Sequence, residues 1–119
     1  MKVQNYRQVD GMEAAPGVVM RVVAGPAEGA PTFAMRVFEI EPGCATPSHS
    51  HAWEHEVFVI SGQGVLRGAG TERRLDEGDA AMVLPDETHS FANAGSDICR
   101  LICVVPLVDG KVPGMPSSD

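Results

Sequence analysis

Positive charge is scarce in this chain. Nine lysines and arginines stand against sixteen aspartates and glutamates, a formal net charge of -7 over 119 residues, and no basic run stands out. Nucleic acid and anionic membrane surfaces are therefore not expected partners, because binding either one requires clustered cations. Cysteine is scarce too, and odd in number. Cys44, Cys99 and Cys103 cannot complete a disulfide framework in a monomer, and no CxxC pair offers a thiolate metal site. Reduced thiols are expected, with Cys99 and Cys103 packing as small apolar side chains. No apolar run approaches the length of a transmembrane helix, and residues 1–10 are polar and charged where a signal peptide needs an apolar centre. A cytoplasmic location without membrane association is the expectation. Helical periodicity is missing as well.

What is present is a series of short, β-branched apolar runs, at residues 18–24, 33–40, 57–60, 64–67, 80–84 and 98–105. Between them stand Gly25-Pro26, Glu41-Pro42-Gly43, Ser61-Gly62-Gln63-Gly64, Asp76-Glu77-Gly78-Asp79 and Asn93-Ala94-Gly95, which are turn chemistry. Many short strands and no helix predict an all-β sandwich or barrel. A chain of this length makes one domain, 1–119, burying about two thirds of its unfolded surface. Its core is expected over about 15–106, with 107–119 extended or frayed around Pro113 and Pro116. The run Val57-Phe58-Val59-Ile60 is apolar at both parities, so both faces of that strand should be covered, one of them by a partner subunit.

All four histidines fall within one stretch, as His49, His51, His55 and His89. Residues two apart on a strand share a face, so His49 and His51 point to one side, and His55 keeps that parity. Neutral imidazole binds Mn, Fe, Co, Ni, Cu or Zn, and a fourth ring from another strand would close most of a coordination sphere.

Residues 43–62 resemble the first cupin motif, with Gly43, then His49 and His51, then a ligand position, and Gly62 closing. Residues 78–93 resemble the second, with Gly78, His89 and Asn93 in place. The resemblance implies a small single-domain cupin, a jelly-roll or double-stranded β-helix barrel, with one divalent transition metal on His49, His51, His55 and His89. Mn or Fe is the first expectation, with Zn, Ni or Cu also compatible. His55 stands where most cupins place a glutamate, which is similar to the four-histidine subclass. Losing the carboxylate makes the metal a stronger Lewis acid and stabilises its higher oxidation state less. Leu84 and Asp86 hold places usually taken by proline and glycine in the turn before His89.

Parity extends the site. With Glu39 and Glu41 facing solvent, Arg36 and Phe38 face inward, making Arg36 the one cation available to a substrate carboxylate or a bound peroxide. Phe91 shares a face with His89, and Leu101 shares one with Cys103, which places that thiol near the metal. Trp53 sits in the turn between ligands as lid or anchor. Arg36 and Cys103 are thus the candidate catalytic residues, and Phe38, Trp53, Phe91 and Leu101 the candidate pocket wall. The resemblance points first to a dioxygenase-like or other oxidative metalloenzyme acting on a small organic substrate. A non-redox Lewis-acid isomerase, lyase or cyclase is the alternative, as is a non-catalytic binding module, and a homodimer is expected.

Overall fold

The computed structural model describes residues 1–114 and is a nine-stranded antiparallel β-structure. Its strands are β1 (Met12–Ala15), β2 (Val18–Ala24), β3 (Phe33–Ile40), β4 (His55–Ser61), β5 (Gly64–Gly68), β6 (Glu72–Leu75), β7 (Ala80–Val83), β8 (His89–Asn93) and β9 (Cys99–Pro106). The helical content of the described residues is two three-residue 3-10 turns, Tyr6–Gln8 and Pro26–Glu28. No helix among them is long and apolar enough to cross a membrane.

The strands form a six-stranded sheet in the order β1-β2-β3-β9-β4-β7 and a three-stranded sheet in the order β6-β5-β8. One buried cluster draws on both sheets, with Val18, Ile40, Val57, Val59, Leu101 and Val105 from the large one and Leu75 and Phe91 from the small one. The architecture is the cupin jelly-roll barrel.

Three strands carry no clear signal in the sequence. β1, β6 and β8 are four or five residues long and hold Glu, Arg, Ser or Asn in place of a β-branched alternation. Partner strands impose them, because pairing supplies the backbone hydrogen bonds that their own propensity does not. β8 is buried at all five positions.

Alternation is clean on the two strands that support the site. On β9, Cys99, Leu101, Cys103 and Val105 are buried and the residues between them are partly exposed. On β4, His55, Val57 and Val59 point inward, leaving Phe58 at 47% and Ile60 at 37% exposure. The core therefore covers one face of β4, and the other is open in the single chain. Glu39 differs from the expected solvent-facing position. It is half-buried between Arg21 and Arg100, which donate to its carboxylate at 3.0 and 2.9 Å. Burial alone would raise its pKa, and these hydrogen bonds outweigh it and hold the carboxyl lower.

The tail differs from expectation as well. The Leu107 amide donates to Thr32 O at 2.9 Å, Val108 and Lys111 pair through two backbone bonds, and Pro113 is buried. Residues 107–114 are thus tied down rather than frayed, and 115–119 lie outside the described residues. Gly62, which closes the first motif, has φ +84, and a Cβ there would meet Ile98 O at 2.5 Å. Only glycine allows the chain to approach the start of β9 so closely.

Candidate metal centre

His55 opens β4 and His89 opens β8, both facing the interior at 7% and 3% exposure. His49 and His51 lie on the preceding loop rather than on the continuous strand that their spacing predicts. An isolated bridge replaces the strand: the amide of His49 donates to His89 O at 3.1 Å, and that of His89 to His49 O at 2.9 Å. The Asp86 amide donates to His51 O at 2.7 Å, so the turn before the second motif clamps the loop of the first. Asp86 holds this position at φ +67, the left-handed conformation that favours the glycine usually found there.

Ligand atoms of His49, His51 and His89 all lie within 4.8 Å of one another. His55 adjoins this group, with its Nε2 2.7 Å from His51 Nε2 and its ring centroid 5.2 Å from that of His89. Outward-facing nitrogens set the tautomers. Nδ1 of His51 donates to Trp53 O at 2.9 Å, and Nδ1 of His89 donates to Glu87 O at 2.8 Å, because a carbonyl only accepts. In the tautomer these bonds select, each ring has a bare Nε2. Nδ1 of His55 lies 3.1 Å from Cys103 Sγ, and with its proton there His55 also presents a bare Nε2.

His49, His51 and His89 together fit a divalent ion, and His55 stands beside them. Two nitrogens at right angles around one ion, each about 2.1 Å from it, would be about 3.0 Å apart, close to the His51–His55 separation. Burial also disfavours protonation of three of the rings, His49, His51 and His55. Desolvation by burial lowers the pKa of His49, with the neighbouring rings of His89 and His51 adding to it. Desolvation likewise lowers that of His51. His55 is pushed from 6.5 to about 3, first by burial and then by the charge of Arg36. Protons therefore do not compete for these nitrogens at neutral pH.

Arg36 and Cys103 face each other across β3 and β9, and Arg36 Nη2 donates to Cys103 Sγ at 3.1 Å. Burial raises the Cys103 thiol pKa, with Arg36 opposing. The sulfur thus joins Arg36 to His55. Trp53 stacks on His51 at 4.4 Å and 5°, and His51 stacks on His55 at 4.4 Å and 12°.

A cavity of about 370 Å³ opens over the cluster. The six non-histidine candidates of the sequence analysis, Arg36, Cys103, Phe38, Phe91, Trp53 and Leu101, line its walls, as do all four histidines. Sequence reasoning missed Ala14, Met20, Thr46 and Pro113, which also line it. The inward parity of Val18 and Met20 on β2 was the signal for Met20; Pro113 carried none, since it arrives by the fold of the tail. No aspartate or glutamate among the described residues lines the cavity.

A family model described as a cupin domain, Cupin_2, matches residues 36–105. No curated protein matches the sequence. Among solved structures, the polyketide cyclase RemF from Streptomyces resistomycificus is similar at 28% identity and a TM-score of 0.81, covering 89% of this chain and 79% of that one. A cupin 2 domain-containing protein from Halorhodospira halophila is 27% identical with a TM-score of 0.70, covering 73% and 62%. A sugar phosphate isomerase from Silicibacter pomeroyi shares the fold at 21% identity and a TM-score of 0.79, covering 90% and 76%.

Proposed function

The chain belongs to the cupin family, and on that premise we propose that it is a metal-dependent Lewis-acid enzyme acting on an apolar, carbonyl-bearing small molecule in the manner of a cyclase. His49, His51, His55 and His89 hold one divalent transition ion, and Zn or Ni serves as well as Mn or Fe. The ion, when bound, supplies the Lewis acidity that polarises a carbonyl oxygen. The observation that carries this reading is the make-up of the cavity: four imidazoles, one buried arginine and no carboxylate among the described lining residues. Such a site favours developing negative charge on oxygen, as in an enolate. Phe38, Trp53, Phe91 and Leu101 exclude water and seat an apolar, partly aromatic body. No aspartate or glutamate among the described lining residues can take a proton, so the α-proton passes to solvent at the cavity mouth, and substrates with an already acidic α-hydrogen, such as 1,3-dicarbonyls, suit the site. The likeness to a polyketide cyclase points the same way.

The dioxygenase-like reading is weaker on the same observation, because a purely imidazole set beside a buried cation disfavours the higher oxidation state that dioxygen chemistry needs. The two readings separate experimentally. Protein stripped with chelator and reloaded anaerobically with Zn should speed deuterium exchange at the α-carbon of 1-phenylbutane-1,3-dione about tenfold or more over buffer, and His55→Ala should abolish the gain. Oxygen uptake with Fe or Mn bound, and no exchange with Zn, would overturn the Lewis-acid reading. The open outer face of the large sheet, with Phe58, Met82 and Leu84 exposed, supports a homodimer; a monomeric mass in solution refutes that.

A further inference from the structure

Arg36 is a buried charge without a counter-charge. It is 4% exposed, and the ion pairs among the described residues belong to Arg21, Arg67, Arg74 and Arg100. Its polar contacts are two sulfur atoms, Met20 Sδ at 3.8 Å and Cys103 Sγ at 3.1 Å, and it lies 5.1 Å from the centroid of the Phe38 ring. Sulfur is a weak acceptor, and the guanidinium carries five N–H donors in a planar fork that no ordinary pH removes. Nε is buried with no partner at all. Burying such a cation unpaired is strongly unfavourable, and a fold that keeps it beside a cavity has left a place for an anion.

We infer that Arg36 is an anion subsite and that the molecule held here is a carboxylate-bearing carbonyl compound, its carboxylate on the guanidinium and its carbonyl at the histidines. This rests on the Lewis-acid reading and narrows its substrate class. The placement supports a compact keto acid. Cys103 Sγ is 3.1 Å from both Arg36 Nη2 and His55 Nδ1, so a single sulfur atom separates the guanidinium from a ring of the cluster. A molecule engaging both needs its carboxylate and carbonyl only a few atoms apart. Phe38 and Phe91, both on the cavity wall, take the apolar remainder.

The test compares 2,4-dioxo-4-phenylbutanoate with its neutral carboxamide by calorimetry, on the full chain both Zn-loaded and metal-free. Binding of the acid about tenfold or more tighter than the amide in both forms is expected, because a carboxylate engages the fork through two charge-assisted bonds. Arg36→Gln should remove that preference, and Arg36→Lys should keep part of it. Equal binding of acid and amide by the wild type overturns the inference, as does a preference that survives Arg36→Gln: confined to the Zn-loaded form it would assign the carboxylate to the metal, and in the metal-free form to another group of the cavity. Should Arg36→Gln fail to fold, the wild type still decides: the Arg36 Nε–H resonance must shift with the acid and not with the amide, and no shift overturns the assignment. Exchange on the neutral dione is independent of all these arms. If exchange persists without acid preference, the anion subsite alone falls; if the acid preference persists without exchange, the Lewis-acid reading falls and the subsite stands.

Discussion

The four histidines divide into a pair held by the sheets and a pair carried by a loop. His55 and His89 begin strands, are buried, and present their nitrogens from positions locked by ladder hydrogen bonds. His49 and His51 are exposed and half-buried, and backbone bonds to His89 and from Asp86 hold their loop in place. Rigid strands hold geometry better than loops, so the strand pair forms the fixed wall of the site and the loop pair its adjustable side. His55 is the ring tied to side chains, through Cys103 to Arg36, whereas His51 and His89 are oriented by carbonyls that mutation cannot remove. The tunable contact of this centre is therefore at its deep end.

The largest expected effect is acid sensitivity of the metal-free protein. His55 stays neutral in the fold and protonates when unfolded, so stability is full above about pH 6.5 and falls until about pH 3, the window set by its displaced pKa. The slope from this ring approaches 1.4 kcal/mol per pH unit. Denaturant midpoints measured across that range check it, and a profile flat below pH 6 would show that His55 is not desolvated. His49 and His51 contribute in the same sense.

Ligand substitutions sharpen the contrast between the pairs. His55→Ala should weaken metal binding about a hundredfold and His49→Ala about tenfold, measured by competition with a chromophoric chelator. Equal losses would erase the distinction between the fixed and the adjustable side. Cys103→Ala should cost about 1–3 kcal/mol in urea unfolding, because it leaves Arg36 and His55 without their shared sulfur. Cys103→Ser should recover part of the metal affinity. A Cys103→Ala protein with unchanged stability and metal affinity would show that Cys103 does not couple Arg36 to His55.

The smallest effect tests the clamp on the loop pair. Asp86 sits at φ +67, a conformation that glycine adopts without strain, so Asp86→Gly should raise stability by about 0.5–1 kcal/mol. A loss instead would mean that the Asp86 side chain holds the turn.

Much of this was legible along the chain. The spacing of His49, His51, His55 and His89 located the cluster, and strict alternation on β4 and β9 put His55 and Cys103 inward, because a pleated strand leaves a side chain only two directions. Less legible were β1, β6 and β8, whose residues have little strand propensity of their own, and the loop geometry of His49 and His51, which depends on pairing with a strand forty residues away.

By itself the sequence determined the all-β architecture, the histidine cluster and the inward parity of Arg36 and Phe38, because period-two patterning and turn residues act locally. Tertiary structure alone decided that Cys103 bridges Arg36 to His55, that Met20 and Pro113 reach the cavity, and that Arg36 is buried without a carboxylate partner. Those facts depend on which strands become neighbours and in what register, and a cation's counter-charge is settled only when every element has packed against it.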